Sequence, residues 1–117
     1  MKIDKKSPPR KYTCGLNNQI TISDCGFAHL DSDEQLTFLT KDGKEYDLCR
    51  KEWGYYATPS VNGRLKNFGF KTALVKNSKG LLYVILVEKD KINYFQDYLQ
   101  EENQSLVEWL DERPVID

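Results

Sequence analysis

The stretch FKTALVKNSKGLLYVILVE, residues 70–88, decides the fold class of this chain. Two strand-forming runs, Phe70–Lys76 and Leu81–Glu88, flank Asn77-Ser78-Lys79-Gly80, which has the composition of a hairpin turn. The second run is apolar on both faces, and that pattern predicts a central strand covered on both sides. Its apolar core, Leu81–Val87, is the longest in the chain and falls far short of the roughly 18 residues that cross a bilayer.

Downstream of this hairpin, Asp90 is placed to cap an amphipathic helix running to about Glu101. Ile92, Phe95 and Leu99 share its buried face, with Tyr98 at the flank. Leu106–Leu110 reads as a last strand, and Arg113-Pro114 closes the domain. Upstream, Ala57-Thr58-Pro59-Ser60 predicts a helix over residues 59–68. Thr58 is its cap, Pro59 takes the first helical position, and Val61, Leu65 and Phe68 form the buried stripe. Gly69 ends it. Gly63 inside a helix costs about 1 kcal/mol relative to alanine, which marks a place for close approach of another backbone or a ligand.

Earlier still, Leu36, Phe38 and Thr40 alternate before Asp42-Gly43, and Tyr46 and Leu48 resume the alternation after it, the pattern of a second hairpin. Ile20 and Ile22 mark a first short strand, which Cys25–Leu30 either continues or leaves. Residues 1–12, basic and interrupted by Ser7-Pro8-Pro9, read as a flexible tail, and residues 113–117 as a C-terminal one. The span 13–112 is then a single α+β domain. Its order is β-β-β-α-β-β-α-β, with five or six mostly antiparallel strands and two helices.

Composition narrows the function classes. The chain has 117 residues, 39% hydrophobic and 30% charged, as expected of a soluble globular domain. The basic N-terminus lacks the apolar stretch of a signal peptide, so the location expected is cytoplasmic, with no membrane partner. Three cysteines, an odd number, fit reduced thiols better than a disulfide framework. Net charge is −1 but uneven: residues 41–87 carry nine basic against four acidic side chains, and residues 88–117 three against nine.

Familiar catalytic signatures are missing. There is no dinucleotide fingerprint, phosphate loop or nucleophile elbow, and one histidine cannot make a two-histidine metal site. Cys14, Cys25, His29 and Cys49 could in principle bind zinc, but no two thiols share a tight knuckle, so no metal and no cofactor is expected. A small enzyme with an unfamiliar site around Cys25 and His29 is a third-ranked reading, and the balance leans away from catalysis.

The chemistry concentrates instead between Trp53 and Lys71. This stretch gathers Trp53, Tyr55, Tyr56, Phe68 and Phe70 with three of the seven glycines. Trp53, Tyr55 and Tyr56 supply stacking surfaces, and first-turn N–H groups after Thr58 would favour an anion. Ser60 and Arg64, four residues apart on the expected helix, would share one flank, and Arg50, Lys51, Lys66 and Lys71 would surround it with positive charge. The leading expectation is therefore a non-catalytic binding module. Its ligand would be anionic or ring-stacking: a phosphorylated small molecule, a sugar or single-stranded nucleic acid. The alternative is a protein-interaction or accessory role through the acidic C-terminal helix or a sheet edge such as Gln35–Thr40, with a homodimer allowed. The sequence leaves open whether the Trp53–Phe70 aromatics are core or surface.

Overall fold

The structure, a computed structural model, describes residues 1–114. The expected C-terminal tail, residues 113–117, therefore lies largely outside the described residues. Among the described residues the architecture is α+β, with eight strands and two α-helices. The strands are β1 (Lys2–Cys14), β2 (Ile20–His29), β3 (Gln35–Leu39), β4 (Glu45–Lys51), β5 (Gly54–Ala57), β6 (Phe70–Lys76), β7 (Leu82–Glu88) and β8 (Ser105–Trp109). The helices are α1 (Arg64–Asn67) and α2 (Ile92–Glu101). Three sheets result, ordered β1-β2, β3-β4-β5 and β7-β6-β8. The chain divides into two compact units: Met1–Leu36 with Leu48–Tyr56, and Thr37–Asp47 with Ala57–Asp117.

In the first unit, the stretch expected to be a flexible tail is instead the long strand β1, paired antiparallel with β2 from Lys2↔His29 to Cys14↔Ile20. The prolines fall in the register irregularity between Lys5 and Arg10, where no ladder hydrogen bond is asked of them. Asp24 anchors this irregular part, accepting from Lys6 Nζ at 2.6 Å and from the Arg10 guanidinium at 3.3 Å. These cations draw the Asp24 carboxyl below its ordinary pKa. Gly26 faces the same spot with φ +144°, and a Cβ there would lie 2.0 Å from the Asp4 carbonyl oxygen. Ile20 through His29 thus form one continuous strand.

The second unit holds the apolar core. Ala73, Val75, Val87, Phe95 and Leu99 are buried together, with Ile85, Ile92 and Trp109 packed against them. Odd-numbered residues of β6 and β7 meet α2 because neighbouring strand residues point to opposite faces. Each large side chain so buried contributes about 1.5–3 kcal/mol. The Phe95 and Trp109 rings meet at 5.6 Å between centroids. As the Asp42-Gly43 pair predicts, Thr40 and Lys44 close a turn, the Thr40 N–H donating to the Lys44 carbonyl at 3.0 Å.

Three local expectations are corrected here. Helix α1 starts at Arg64 rather than Pro59, and residues 61–63 form a turn. The Ser60 hydroxyl accepts from the Arg64 N–H at 3.3 Å, so Ser60, not Thr58, satisfies the late start of the helix. A Cβ on Gly63 would lie 2.3 Å from Ser60 Oγ, which is the close approach its sequence position implied. Asp90 lies in a short 3₁₀ turn, Lys89–Lys91, and makes no capping hydrogen bond to α2. Strand β7 is not central. β6 occupies that position, and β7 forms an edge, apolar though it is on both faces.

Candidate functional site

The residues singled out between Trp53 and Lys71 divide between the two units. Trp53, Tyr55 and Tyr56 belong to the first; Ser60, Arg64, Lys66 and Lys71 belong to the second.

In the first unit, Lys51, Glu52 and Trp53 lead from β4 into β5, and the three rings follow almost without interruption. They are surface groups: Trp53 is 73% exposed, Tyr55 59% and Tyr56 47%. Tyr55 and Tyr56 are neighbours on a strand and so lie on opposite faces of it. The Arg50 guanidinium sits over the Tyr55 ring at 5.4 Å, held there by a 3.0 Å hydrogen bond from its Nη1 to the Gly54 carbonyl. Lys51 donates to Asp33, whose carboxylate raises the lysine pKa. Arginine over an aromatic ring is a ready platform for a planar ligand, because guanidinium and ring offer stacking surfaces side by side. The same unit carries two further cation–ring pairs, Lys6 over Phe27 at 4.5 Å and Arg10 over Tyr12 at 4.8 Å.

In the second unit the expected anion site takes another form. Arg64 donates to Asp47 Oδ2 at 3.0 Å and to Thr58 Oγ1 at 2.9 Å, and its guanidinium stacks on Phe68 at 5.5 Å. Asp47 is buried and also accepts from Thr37 Oγ1 at 2.7 Å. Arg64 therefore neutralises an internal carboxylate, a partner that the alternation around Tyr46 and Leu48 gave no reason to single out. A four-residue helix offers no first turn for an anion after Thr58. Ser60 and Arg64 are brought together, but through backbone and cap, not as a ligand clamp.

Lys71 is committed to a different cluster. Its ammonium donates to Asp111 at 2.9 Å and Glu112 at 3.0 Å and lies 4.7 Å from the Trp109 ring centre. Burial opposes its charge, but the two carboxylates outweigh burial and raise its pKa. Burial likewise pushes Asp111 up, while Lys71 and the Thr72 N–H pull it down further, leaving it below the ordinary carboxylate range. Lys71 lines one wall of a groove of about 570 Å³ whose apolar lining includes Ile92, Phe95, Leu99 and Trp109.

The cysteine–histidine set does not converge. Cys25 Sγ lies 3.5 Å from the Ser23 carbonyl, Cys49 Sγ lies 3.5 Å from the Arg50 carbonyl, and His29 Nε2 is 3.0 Å from Asp4 Oδ2. All three cysteines are free. Among the described residues, no group of three or more His, Cys, Asp or Glu side chains could hold a metal. No helix in this part of the chain is long and apolar enough to cross a membrane. No family model, curated protein or solved structure matches the chain.

Proposed function

We propose that this protein is a non-catalytic binding module whose recognition surface is the aromatic turn Trp53–Tyr56 with Arg50 beside it. One observation carries this reading: three nearly consecutive aromatic rings stand in solvent, one of them already stacked by a fixed guanidinium. Exposing rings to water forgoes burial energy of about 1.5–3 kcal/mol for each, which a planar ligand recovers by covering them. The ligand class this supports best is single-stranded nucleic acid. Its bases stack on exposed aromatic rings without sequence preference, at about 1–3 kcal/mol per base, and Arg50 can reach a phosphate. A phosphorylated small molecule or a sugar uses the same rings and ranks next. The three free cysteines support a cytoplasmic, reducing setting for it.

A protein partner is the second reading, favoured by a separate observation. The buried apolar residues all belong to the second unit, while Ile3, Leu16 and Phe27 of the first are exposed. Apolar surface of that extent suits a docking partner.

A Trp109→Phe variant leaves Trp53 as sole tryptophan, read by selective excitation, for titration with a short single-stranded RNA, nucleotides and sugars at low and high salt. A saturable, salt-sensitive change with RNA, lost in Tyr55→Ala, is the expected result. A flat response to every ligand from a folded protein overturns the ring-stacking reading and leaves the protein-partner one.

A further inference from the structure

The apolar strand that the sequence places in the middle of a sheet stands at its edge, with Leu82 60% and Val84 66% exposed. Leu81 and Tyr83 beside them are exposed as well. We infer that β7 is completed by β7 of a second copy, joining two β7-β6-β8 sheets into one six-stranded sheet about a two-fold axis.

The hydrogen-bonding groups are set for it. The preceding turn closes with the Asn77 N–H on the Leu81 carbonyl at 3.0 Å, and the register then runs Val75↔Tyr83, Leu74↔Val84, Ala73↔Ile85. Because bonded and non-bonded pairs alternate in an antiparallel ladder, Tyr83, Ile85 and Val87 bond inward to β6. The N–H and C=O groups of Leu82, Val84 and Leu86 therefore point away from the sheet, toward solvent. An edge of this kind usually carries a lysine, proline or bulge as a guard against pairing, and residues 82–87 contain none.

Symmetry selects the register. A two-fold axis normal to a sheet keeps each face on its own side, so paired residue numbers must sum to an even value. The outward-bonding positions are themselves even. Centring the axis on Val84 sets Val84 against the partner's Val84, Leu82 against the partner's Leu86, and Tyr83 against the partner's Ile85. At each end Gly80 then meets the partner's Glu88, and Lys79 meets the partner's Lys89 just beyond the strand.

Extent agrees with a dimer. Side chains worth about 2 kcal/mol at 25 cal/mol per Å² present on the order of 100 Å² each. Four such residues with the strand backbone give roughly 500 Å² per copy, about 1,000 Å² in all, the lower bound of a specific interface. This edge belongs to the second unit and the aromatic turn to the first, so the inference does not rest on the proposed ligand.

Sedimentation equilibrium of the full chain up to about 100 μM tests it. Expected is a dimer, with Val84→Lys raising the dissociation constant on the order of 100-fold or more by placing two ammonium groups face to face. Val107→Lys, on the opposite edge strand, should leave it unchanged. In a Cys14→Ser, Cys25→Ser, Cys49→Ser background, Val84→Cys should cross-link on mild oxidation, since opposed bonded residues lie about 5.5 Å apart at Cα. Tyr83→Cys should not. A monomer at all concentrations, or a dimer indifferent to Val84→Lys with no cross-link through Val84→Cys, overturns the proposal. Should Val84→Lys fail to fold by circular dichroism, the cross-linking pair decides alone.

Discussion

Removing the Asp111 carboxylate should destabilise the second unit more than any other change to a polar residue discussed above. Asp111 is buried and does two things at once: it accepts the Thr72 N–H at 2.9 Å and the Lys71 ammonium at 2.9 Å. Asp111→Ala orphans the buried Thr72 N–H, at about 1–3 kcal/mol. It also breaks a buried ion pair, which by itself costs about 3–5 kcal/mol. The second term is reduced because Lys71 keeps exposed Glu112 at 3.0 Å. The net expectation is about 3 kcal/mol. Asp111→Asn keeps an acceptor for Thr72 and should cost about half as much. Urea unfolding followed by circular dichroism reads this directly, because a urea slope of about 1.5 kcal/mol per M turns 3 kcal/mol into a midpoint shift of about 2 M. The pH dependence has a definite sign. Asp111 has a lowered folded pKa, so its advantage is full above the ordinary carboxylate range and fades as pH falls through that lowered value. Lys71 has a raised one, so its share is full below 10.5 and fades as pH rises through the folded value. An Asp111→Ala variant within 0.5 kcal/mol of wild type at neutral pH would refute the reasoning.

Arg64→Ala strands the buried Asp47 carboxylate with, among the described residues, only Thr37 as side-chain donor. A loss of about 1–3 kcal/mol is expected in the same unfolding assay. Leu65→Ala should cost about 2–5 kcal/mol, since Leu65 is fully buried; Phe68→Ala, at a half-buried site, should cost clearly less, and thermal unfolding of the pair compares them. Gly26→Ala forces a methyl group onto the Asp4 carbonyl and should open the middle of the β1–β2 ladder, read as faster amide exchange there than near Thr13 and Thr21.

Much of the second unit was legible because its periodicities are intact. Phe70–Lys76, Phe95 with Leu99, and Leu106–Trp109 fall where alternation and helical spacing put them. The failures have physical causes. Apolar character on both faces of Leu81–Val87 reads as cover on both sides, yet here the same pattern stands on an edge strand with Leu82, Tyr83 and Val84 exposed. Pro8 and Pro9 forbid a central strand but not a two-stranded ribbon with a local irregularity. Thr58-Pro59 is sound helix-start grammar, yet the helix begins only at Arg64, whose N–H the Ser60 hydroxyl accepts, and no local pattern reports that delay. At the candidate site, the residue types were visible but not their partners. Arg64 and Lys71 answer to Asp47 and Asp111, 17 and 40 residues away, and no local pattern reports such pairings.

The β1–β2 ribbon and the sheet around β6 also differ in when they can form as the chain is synthesised. The β1–β2 ribbon has every partner it needs once His29 has been made. The sheet around β6 waits for Trp109 and for Asp111, whose carboxylate holds the Thr72 N–H. From residue 29 to residue 111 is 82 residues, on the order of 4–16 s of translation. For the last 23 residues of that interval, from Glu88 to Asp111 and on the order of 1–5 s, β7 has been made but the sheet it borders cannot close, and the nascent chain presents its most apolar segment to whatever meets it first.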